Sequence, residues 1–110
     1  MDLQDIEHLP GDSFNGTEAY ANTKRAQVYL NQLWAERYRG KQSIRFFSMH
    51  PGWARTPGTQ GSLPSFFDNL SLRTAEQGAD TCVWLAVADK PSLRDESTSG
   101  LFFFDRQPVE

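Results

Sequence analysis

Apolar residues recur with helical spacing between Thr17 and about Arg39. They lie three, four or seven positions apart, which places them on one face of a helix; this face consists of Ala19, Ala26, Leu30, Leu33 and Trp34. Asn15 and Glu18 have the spacing of a capping box at the start of the pattern, and Gly40 is placed to end it. The pattern predicts a long amphipathic helix over residues 17–39.

A second helical pattern runs from Thr74 to about Asp89. Thr74 and Gln77 have the spacing of another capping box, and the apolar face behind them consists of Ala75, Ala79, Cys82, Val83, Ala86 and Val87. Before this helix, residues 43–49 contain β-prone side chains and predict a strand. That strand ends at His50-Pro51-Gly52, because proline cannot continue a hydrogen-bonded ladder.

Residues 100–104 predict a second strand, and their continuous run of apolar side chains is typical of a strand buried on both faces. Residues 1–16 and 53–72 are rich in helix and strand breakers and predict loops. The order helix, strand, helix, strand predicts a parallel strand pair joined by a right-handed crossover through the second helix. Two strands cannot cover two such helices, so we expect an α/β sheet that is incomplete.

Composition and charge narrow the classes of function. The chain has 110 residues and a net charge of −3, and its basic residues form no run longer than two, which argues against nucleic acid as a partner. We expect no membrane span, because no apolar stretch approaches about 20 residues, and no secretory signal, because the N-terminus is acidic. A lone Cys82 excludes an internal disulfide and a thiolate zinc site, so we expect no metal and a reducing compartment, the cytoplasm.

Tyr20 and Lys24 are the strongest candidates for chemistry. They lie four residues apart on the first predicted helix, so their side chains share a face. A lysine ammonium one helical turn from a phenol stabilises the phenolate form, which suits a tyrosine that transfers protons. Short motifs of this kind also occur by chance, so a plain packing role is the alternative while the pair is taken alone.

The surroundings of this pair resemble the short-chain dehydrogenase/reductase family. Tyr20-Ala21-Asn22-Thr23-Lys24 on a long amphipathic helix resembles the active-site helix of that family. One strand later, Pro51-Gly52-Trp53-Ala54-Arg55-Thr56 matches its Pro-Gly-x-x-x-Thr turn. Residues 74–79 resemble the start of the family's next helix, and residues 100–104 its last core strand. The four matches follow the family's order over roughly residues 17–106.

A narrower likeness comes from two short segments. The His-Pro-Gly-Trp turn at residues 50–53 and the closing residues 105–109 resemble one subgroup of the family more than the others. The wider resemblance implies that residues 17–110 are the C-terminal half of a Rossmann-like, doubly wound parallel sheet, with residues 1–16 as a loop or frayed lead-in. It further implies that residues 57–72 close over a substrate.

The resemblance also implies an activity, which is the interconversion of a carbonyl and an alcohol with NAD or NADP as the cofactor. Tyr20 would be the acid/base that exchanges a proton with the substrate. Lys24 would bind the nicotinamide ribose and activate Tyr20. Pro51, Gly52 and Thr56 would shape the loop that lies along the nicotinamide and the pyrophosphate.

Parts of the family pattern have no counterpart in these 110 residues. The Gly-rich turn, the Asn-Ala-Gly segment and the catalytic serine are absent; Ser13 lies seven residues before Tyr20 and is interpreted as a loop residue. We therefore expect the chain by itself to be inactive and to bind the cofactor poorly, since the pyrophosphate lacks its helix N-terminus. The alternatives are a non-catalytic truncated isoform or an interaction module, and the helix at residues 17–39 is the expected surface for a homo-oligomer.

Overall fold

A computed structural model describes residues 14–41, 43–62 and 70–109. The elements in chain order are α1 (Gly16–Arg37), β1 (Ser48–His50), α2 (Pro57–Ser62), α3 (Ala75–Val87), α4 (Pro91–Arg94), a single 3₁₀ turn (Glu96–Thr98), β2 (Phe102–Phe104) and β3 (Gln107–Val109). None of the helices within these ranges is long and apolar enough to cross a membrane. The predicted loop at residues 1–16 lies mostly outside the described residues.

The described strands form one mixed sheet in the order β1-β2-β3. β1 and β2 are parallel, with Met49 opposite Phe103, and the chain between them passes through α3. This confirms the predicted parallel pair and the α/β class. β3 was not predicted, and it pairs antiparallel with β2 so that Phe103 faces Pro108. The sheet is therefore mixed, where the sequence predicted parallel strands alone.

The first predicted strand is too long and begins too early. Residues 43–47 are not in the ladder, and β1 starts only at Ser48. The reason is that these residues bond to the segment preceding β2. The Arg45 side chain donates to the Arg94 carbonyl at 2.9 and 3.2 Å, and the Phe46 amide donates to Ser99 Oγ at 3.0 Å. β2 likewise starts at Phe102 and not at residue 100, since Gly100 has a φ of +96°, outside the range of a strand.

Two elements that the sequence did not predict come from local turn chemistry. Asp105 and Arg106 both have positive φ, 48° and 61°, as in the tight turns that join antiparallel strands, and they produce the β2–β3 hairpin. The predicted loop at residues 53–72 contains α2, whose first residue is Pro57. The Thr56 hydroxyl accepts a hydrogen bond from the Thr59 amide at 3.2 Å, which is the usual arrangement at a helix N-terminus.

Both predicted long helices are present, and their starts are capped by the side chains that the sequence indicated. Asn15 Oδ1 accepts from the amides of Thr17 and Glu18 at 3.1 and 3.2 Å. Thr74 and Gln77 exchange side-chain-to-amide hydrogen bonds at 3.2 and 2.8 Å, a complete capping box. Each helix ends two residues earlier than predicted, α1 at residue 37 and α3 at residue 87.

Phe103, the central residue of β2, anchors the small core with only 2% of its surface exposed. Its ring meets Phe47 edge-on at 5.5 Å between centroids, and it lies 6.2 Å from the ring of Trp84 on α3. Leu93 of α4 is also buried. These aromatic contacts hold α3 against the parallel pair.

The C-terminal end of α1 packs on the segments that precede β1 and β2. A Cβ atom at Gly100 would lie 3.1 Å from the Ala35 Cβ, so this approach needs a glycine. The rings of Trp34 and Tyr38 lie 6.1 and 5.8 Å from that of Phe46. The N-terminal half of the helix is mostly exposed, so the packing fixes one end of α1 and leaves the other open.

Gly78 provides a test of how closely α3 approaches the turn after β1. A Cβ atom there would lie 2.9 Å from the Ala54 Cβ and 3.6 Å from the Pro51 Cβ. In an open helix, replacing glycine by alanine adds about 1 kcal/mol of stability, but overpacking costs about 1–3 kcal/mol. We expect Gly78→Ala to lower the melting temperature.

The matched control is Gly61→Ala in α2, where nothing lies within 4 Å of the added methyl group. It should leave the melting temperature unchanged or raise it. Thermal denaturation of both variants beside the unsubstituted protein decides the matter. Equal stabilisation by the two substitutions would contradict the close contact at Gly78.

Candidate active site

Tyr20 and Lys24 lie together on an exposed surface in the first half of α1. The Lys24 Nζ is 5.6 Å from the centroid of the Tyr20 ring, within cation–π range, and donates to Gln27 Oε1 at 3.4 Å. Tyr20 is 66% exposed. The predicted shared face is therefore present, and its outer side is open to a ligand or to another part of a protein.

The turn after β1 is held by backbone hydrogen bonds to a single residue, Arg73. The Arg73 amide donates to the Trp53 carbonyl and the Arg55 amide donates to the Arg73 carbonyl, both at 2.9 Å. These bonds form a parallel bridge between Ala54 and Arg73. Residues 53–55 are thus fixed to the residue that immediately precedes the N-cap of α3.

The Arg73 side chain reaches the other side of the same turn. Its guanidinium donates to both carboxylate oxygens of Asp105, with the Nη2–Oδ2 distance 2.7 Å, and to the Pro51 carbonyl at 3.4 Å. It also lies 5.1 Å from the centroid of the Phe104 ring. A Cβ atom at Gly52, whose φ is +72°, would fall 2.8 Å from the Arg73 Nε. The positive φ favours glycine at position 52, and the guanidinium occupies the space that a Cβ atom would fill.

A second ion pair holds the hairpin turn next to the first. Arg106 Nε donates to Asp80 Oδ2 at 2.7 Å, and the Arg106 amide donates to the hydroxyl of Thr81, which is buried. The hydrogen bond from Arg73 holds the pKa of Asp105 below its usual value, and that from Arg106 does the same for Asp80. Both carboxylates are thus stabilised in the charged form that the pairs require.

Sequence reasoning missed Arg73 and Asp105. They are 32 residues apart, and no motif contains both of them. Arg73 stands before a capping threonine and Asp105 after a strand, positions at which a charged residue usually signals only solvent exposure. Nothing in the spacing of the sequence indicates that they meet.

Thr56 is engaged inside its own loop. The Thr56 amide donates to Thr59 Oγ1 at 2.9 Å, the Thr59 amide donates back to Thr56 Oγ1 at 3.2 Å, and the two hydroxyl oxygens are 3.1 Å apart. The amide of Thr56 is thus not free to bind a ligand, and its hydroxyl is already hydrogen-bonded. Its contribution is to the shape of the loop.

Three more residues that follow β1 or end it, His50, Trp53 and Arg55, have turn or surface positions. His50 Nδ1 accepts from the Gly52 amide at 2.9 Å, and its ring lies 5.9 Å from that of Phe104, as expected for a histidine that closes a strand. Trp53 and Arg55 are exposed. In the part of the chain that the structure describes, no group of three or more His, Cys, Asp or Glu side chains could hold a metal ion.

The structure thus gives two groups of predicted site residues. Tyr20 and Lys24 form one on α1, and Pro51, Gly52 and Thr56 form the other at the C-terminal end of β1. Within residues 14–41, 43–62 and 70–109, no hydrogen bond, ion pair or ring contact joins the two groups.

Comparisons with known proteins identify relatives along most of the chain. It is 46% identical over 98 residues to Dehydrogenase/reductase SDR family member 12 of Homo sapiens, a match that covers 87% of the chain and 29% of that protein. The Bos taurus protein of the same name is 46% identical over 99 residues, with 88% and 29% covered. The chain is 35% identical over 107 residues to a protein of Streptomyces sp. (strain C5) named "Putative daunorubicin C-13 ketoreductase DnrU", with 94% and 35% covered. No protein-family model and no solved structure matches the chain.

These matches confirm the resemblance to short-chain dehydrogenases/reductases, including the subgroup that the two short segments indicated. The chain spans only 29% of the length of the two mammalian relatives, and that part is the C-terminal one.

Proposed function

We propose that this chain, which is related to the C-terminal part of short-chain dehydrogenases/reductases, carries the proton-transfer residues of an NAD(P)-dependent oxidoreductase acting on a carbonyl or alcohol. The observation that supports this most is the position of Tyr20 and Lys24 on one exposed face of α1, with the ammonium 5.6 Å from the ring centroid. The ketoreductase name of the Streptomyces relative supports the substrate class.

Each residue of the pair has a separate task in this proposal. The Tyr20 hydroxyl gives its proton to the carbonyl oxygen of the substrate in reduction and takes it back from the alcohol in oxidation. Lys24 donates hydrogen bonds to the ribose of the cofactor, and its positive charge stabilises the phenolate that Tyr20 becomes. The nicotinamide, when bound, supplies or accepts the hydride.

The turn after β1 fits the nicotinamide end of the cofactor. It lies at the C-terminal end of a parallel strand, the edge at which open α/β sheets bind ligands. Pro51 is exposed at this turn, whereas Thr56 maintains the loop. Lys24, Pro51 and Gly52 are therefore the residues that would contact the cofactor, whether it is NAD or NADP.

The described sheet can be extended at one edge towards the doubly wound Rossmann-like form. Among the described strands β1 is an edge, because it pairs with β2 alone. The side-chain oxygen of Ser48 on β1 and the amide nitrogen of Asn31 on α1 are buried without a hydrogen-bond partner in the described residues. A further strand beside β1 would extend the sheet and bring new polar groups to this region.

We also propose the cytoplasm as the compartment, since an exposed, unpaired Cys82 suits reducing conditions.

The direct test is Tyr20→Phe in the full-length protein that contains this segment. The substitution keeps the ring and removes the proton, so turnover of a carbonyl substrate should fall by at least roughly a hundredfold while cofactor affinity changes little. The matched control is Tyr29→Phe, which removes a hydroxyl from another exposed tyrosine of α1 and should leave turnover unchanged. Near-normal turnover in Tyr20→Phe would assign Tyr20 to packing and favour a non-catalytic role.

The isolated 110-residue chain should behave differently from the enzyme. We expect it to be inactive, to bind NADPH and NADH poorly, and to self-associate through α1. Tyr20 and Lys24 lie on an open surface that does not exclude water. Besides Tyr20, the same helix exposes four further large apolar side chains, each at least 42% accessible: Tyr29, Leu30, Leu33 and Trp34.

Nucleotide fluorescence during a titration with each cofactor measures binding, and sedimentation velocity measures the oligomeric state. Leu33→Glu should shift the chain towards a monomer, whereas Val87→Glu, at a 74% exposed position of α3, should not. Saturable binding at micromolar cofactor by a monomer would refute this expectation.

A further inference from the structure

Arg73 contacts the candidate cofactor turn through both its backbone and its side chain. We propose that Arg73, held in place by Asp105, is a positioning residue that sets the conformation of the Pro51–Gly52 turn for binding of the nicotinamide end of the cofactor. This inference rests on the function proposed above. Neither residue contacts Tyr20 or Lys24 by hydrogen bond, ion pair or ring contact within the described residues, so their effect is exerted through the turn.

The backbone of Arg73 fixes only the second half of the turn. Its two hydrogen bonds, each 2.9 Å long, go to Trp53 and Arg55. The first half, at Pro51 and Gly52, contains the atoms proposed to meet the cofactor and is outside this bridge. Its position therefore depends on side chains.

The Arg73 guanidinium supports Gly52 from the side on which other residues carry a side chain. A Cβ atom there would lie 2.8 to 3.0 Å from three atoms of the Arg73 side chain, so the guanidinium occupies the space directly beside the Gly52 Cα. It donates to the Pro51 carbonyl at 3.4 Å as well. The guanidinium therefore limits how far the backbone of Pro51 and Gly52 can move towards Arg73.

Asp105 fixes the orientation of the Arg73 guanidinium. The two-pronged arrangement fixes the orientation as well as the distance, because a planar guanidinium and a carboxylate match at two hydrogen bonds. Asp105 is itself fixed by the tight turn in which it lies and by the neighbouring Arg106–Asp80 pair. The β2–β3 hairpin thus holds Arg73, and Arg73 in turn holds the Pro51–Gly52 turn.

The experiment uses Arg73→Met in the full-length protein, with Arg94→Met as the matched control. Arg94 pairs with Asp89 at the opposite end of α3, and both side chains are more than 70% exposed. Steady-state kinetics give the KM for NADPH and NADH separately from kcat, and thermal denaturation reports on folding. We expect Arg73→Met to raise the KM for the nucleotide by at least roughly tenfold, more than it lowers kcat, because the binding surface is misplaced and the proton donor is intact. Arg94→Met should stay within about twofold.

Two further substitutions separate positioning from general stability. Arg73→Lys keeps the charge and loses the planar fork, so its KM should lie between those of the unsubstituted protein and Arg73→Met. Asp105→Asn keeps the size of the side chain and should raise the KM in the same direction, and adding it to Arg73→Met should cause little extra loss. If Arg73→Met does not fold, Asp105→Asn decides by the same criterion.

The proposal is overturned if the nucleotide KM of Arg73→Met and Asp105→Asn stays within about twofold of the Arg94→Met value, even where the melting temperature falls. That result would make the ion pair purely structural and leave the proposed function intact. If the unsubstituted full-length protein shows no NAD(P)H-dependent turnover, the proposed function fails, and this inference fails with it.

Discussion

The ion pair between Arg73 and Asp105 joins three parts of the chain that are distant in sequence: the turn after β1, the start of α3 and the β2–β3 hairpin. Its two side chains are 32% and 51% exposed, so solvent screens the attraction and its contribution to stability is modest. Its importance is geometric, because the two-pronged contact allows one relative orientation of the groups it connects. The guanidinium held in this orientation lies against Gly52, in the turn that the proposed cofactor would meet.

Two glycines allow the long helices α1 and α3 to pack closely on neighbouring segments of the chain. Gly78 lets α3 approach Ala54 of the turn, and Gly100 lets the C-terminal half of α1 approach the start of β2. α1 is thus anchored at one end, while Tyr20 and Lys24 are on the exposed end. Such an arrangement is compatible with the proposed role of Tyr20 and Lys24. The chain spans 29% of the length of the mammalian relatives.

The elements that the sequence predicted well are those encoded locally. Caps at Asn15 and Thr74 and a helical period of apolar residues are properties of neighbouring residues, and both helices follow them within two residues. The apolar face predicted for α3 is nevertheless exposed, because the helix is buried through Gly78 and Thr81 on another face. The β2–β3 hairpin was missed because its turn lacks the residues that usually indicate such a turn. The hairpin turn uses Asp105 and Arg106 at positive φ, where glycine or asparagine would have indicated it.

The same distinction holds for the site. Tyr20 and Lys24 are recognisable because their spacing is that of one helical turn, and the Pro51–Gly52 turn because it follows a strand. The start of β1 was misplaced because residues 45 and 46 bond to residues 94 and 99, about 50 positions away. Arg73 and Asp105 were missed for the same reason, since a contact across 32 residues leaves no periodic signal.

In the proposed function, Tyr20 and Lys24 act as one unit in proton transfer, and a double-mutant cycle tests this coupling most directly. The rate of carbonyl reduction at saturating NADPH would be measured in the full-length protein for Tyr20→Phe, Lys24→Met and the double variant. Residues that act together are strongly non-additive, so we expect the double variant to be little slower than the slower single variant. If the two losses instead multiply, or if neither substitution slows the reaction, Tyr20 and Lys24 are not a catalytic unit.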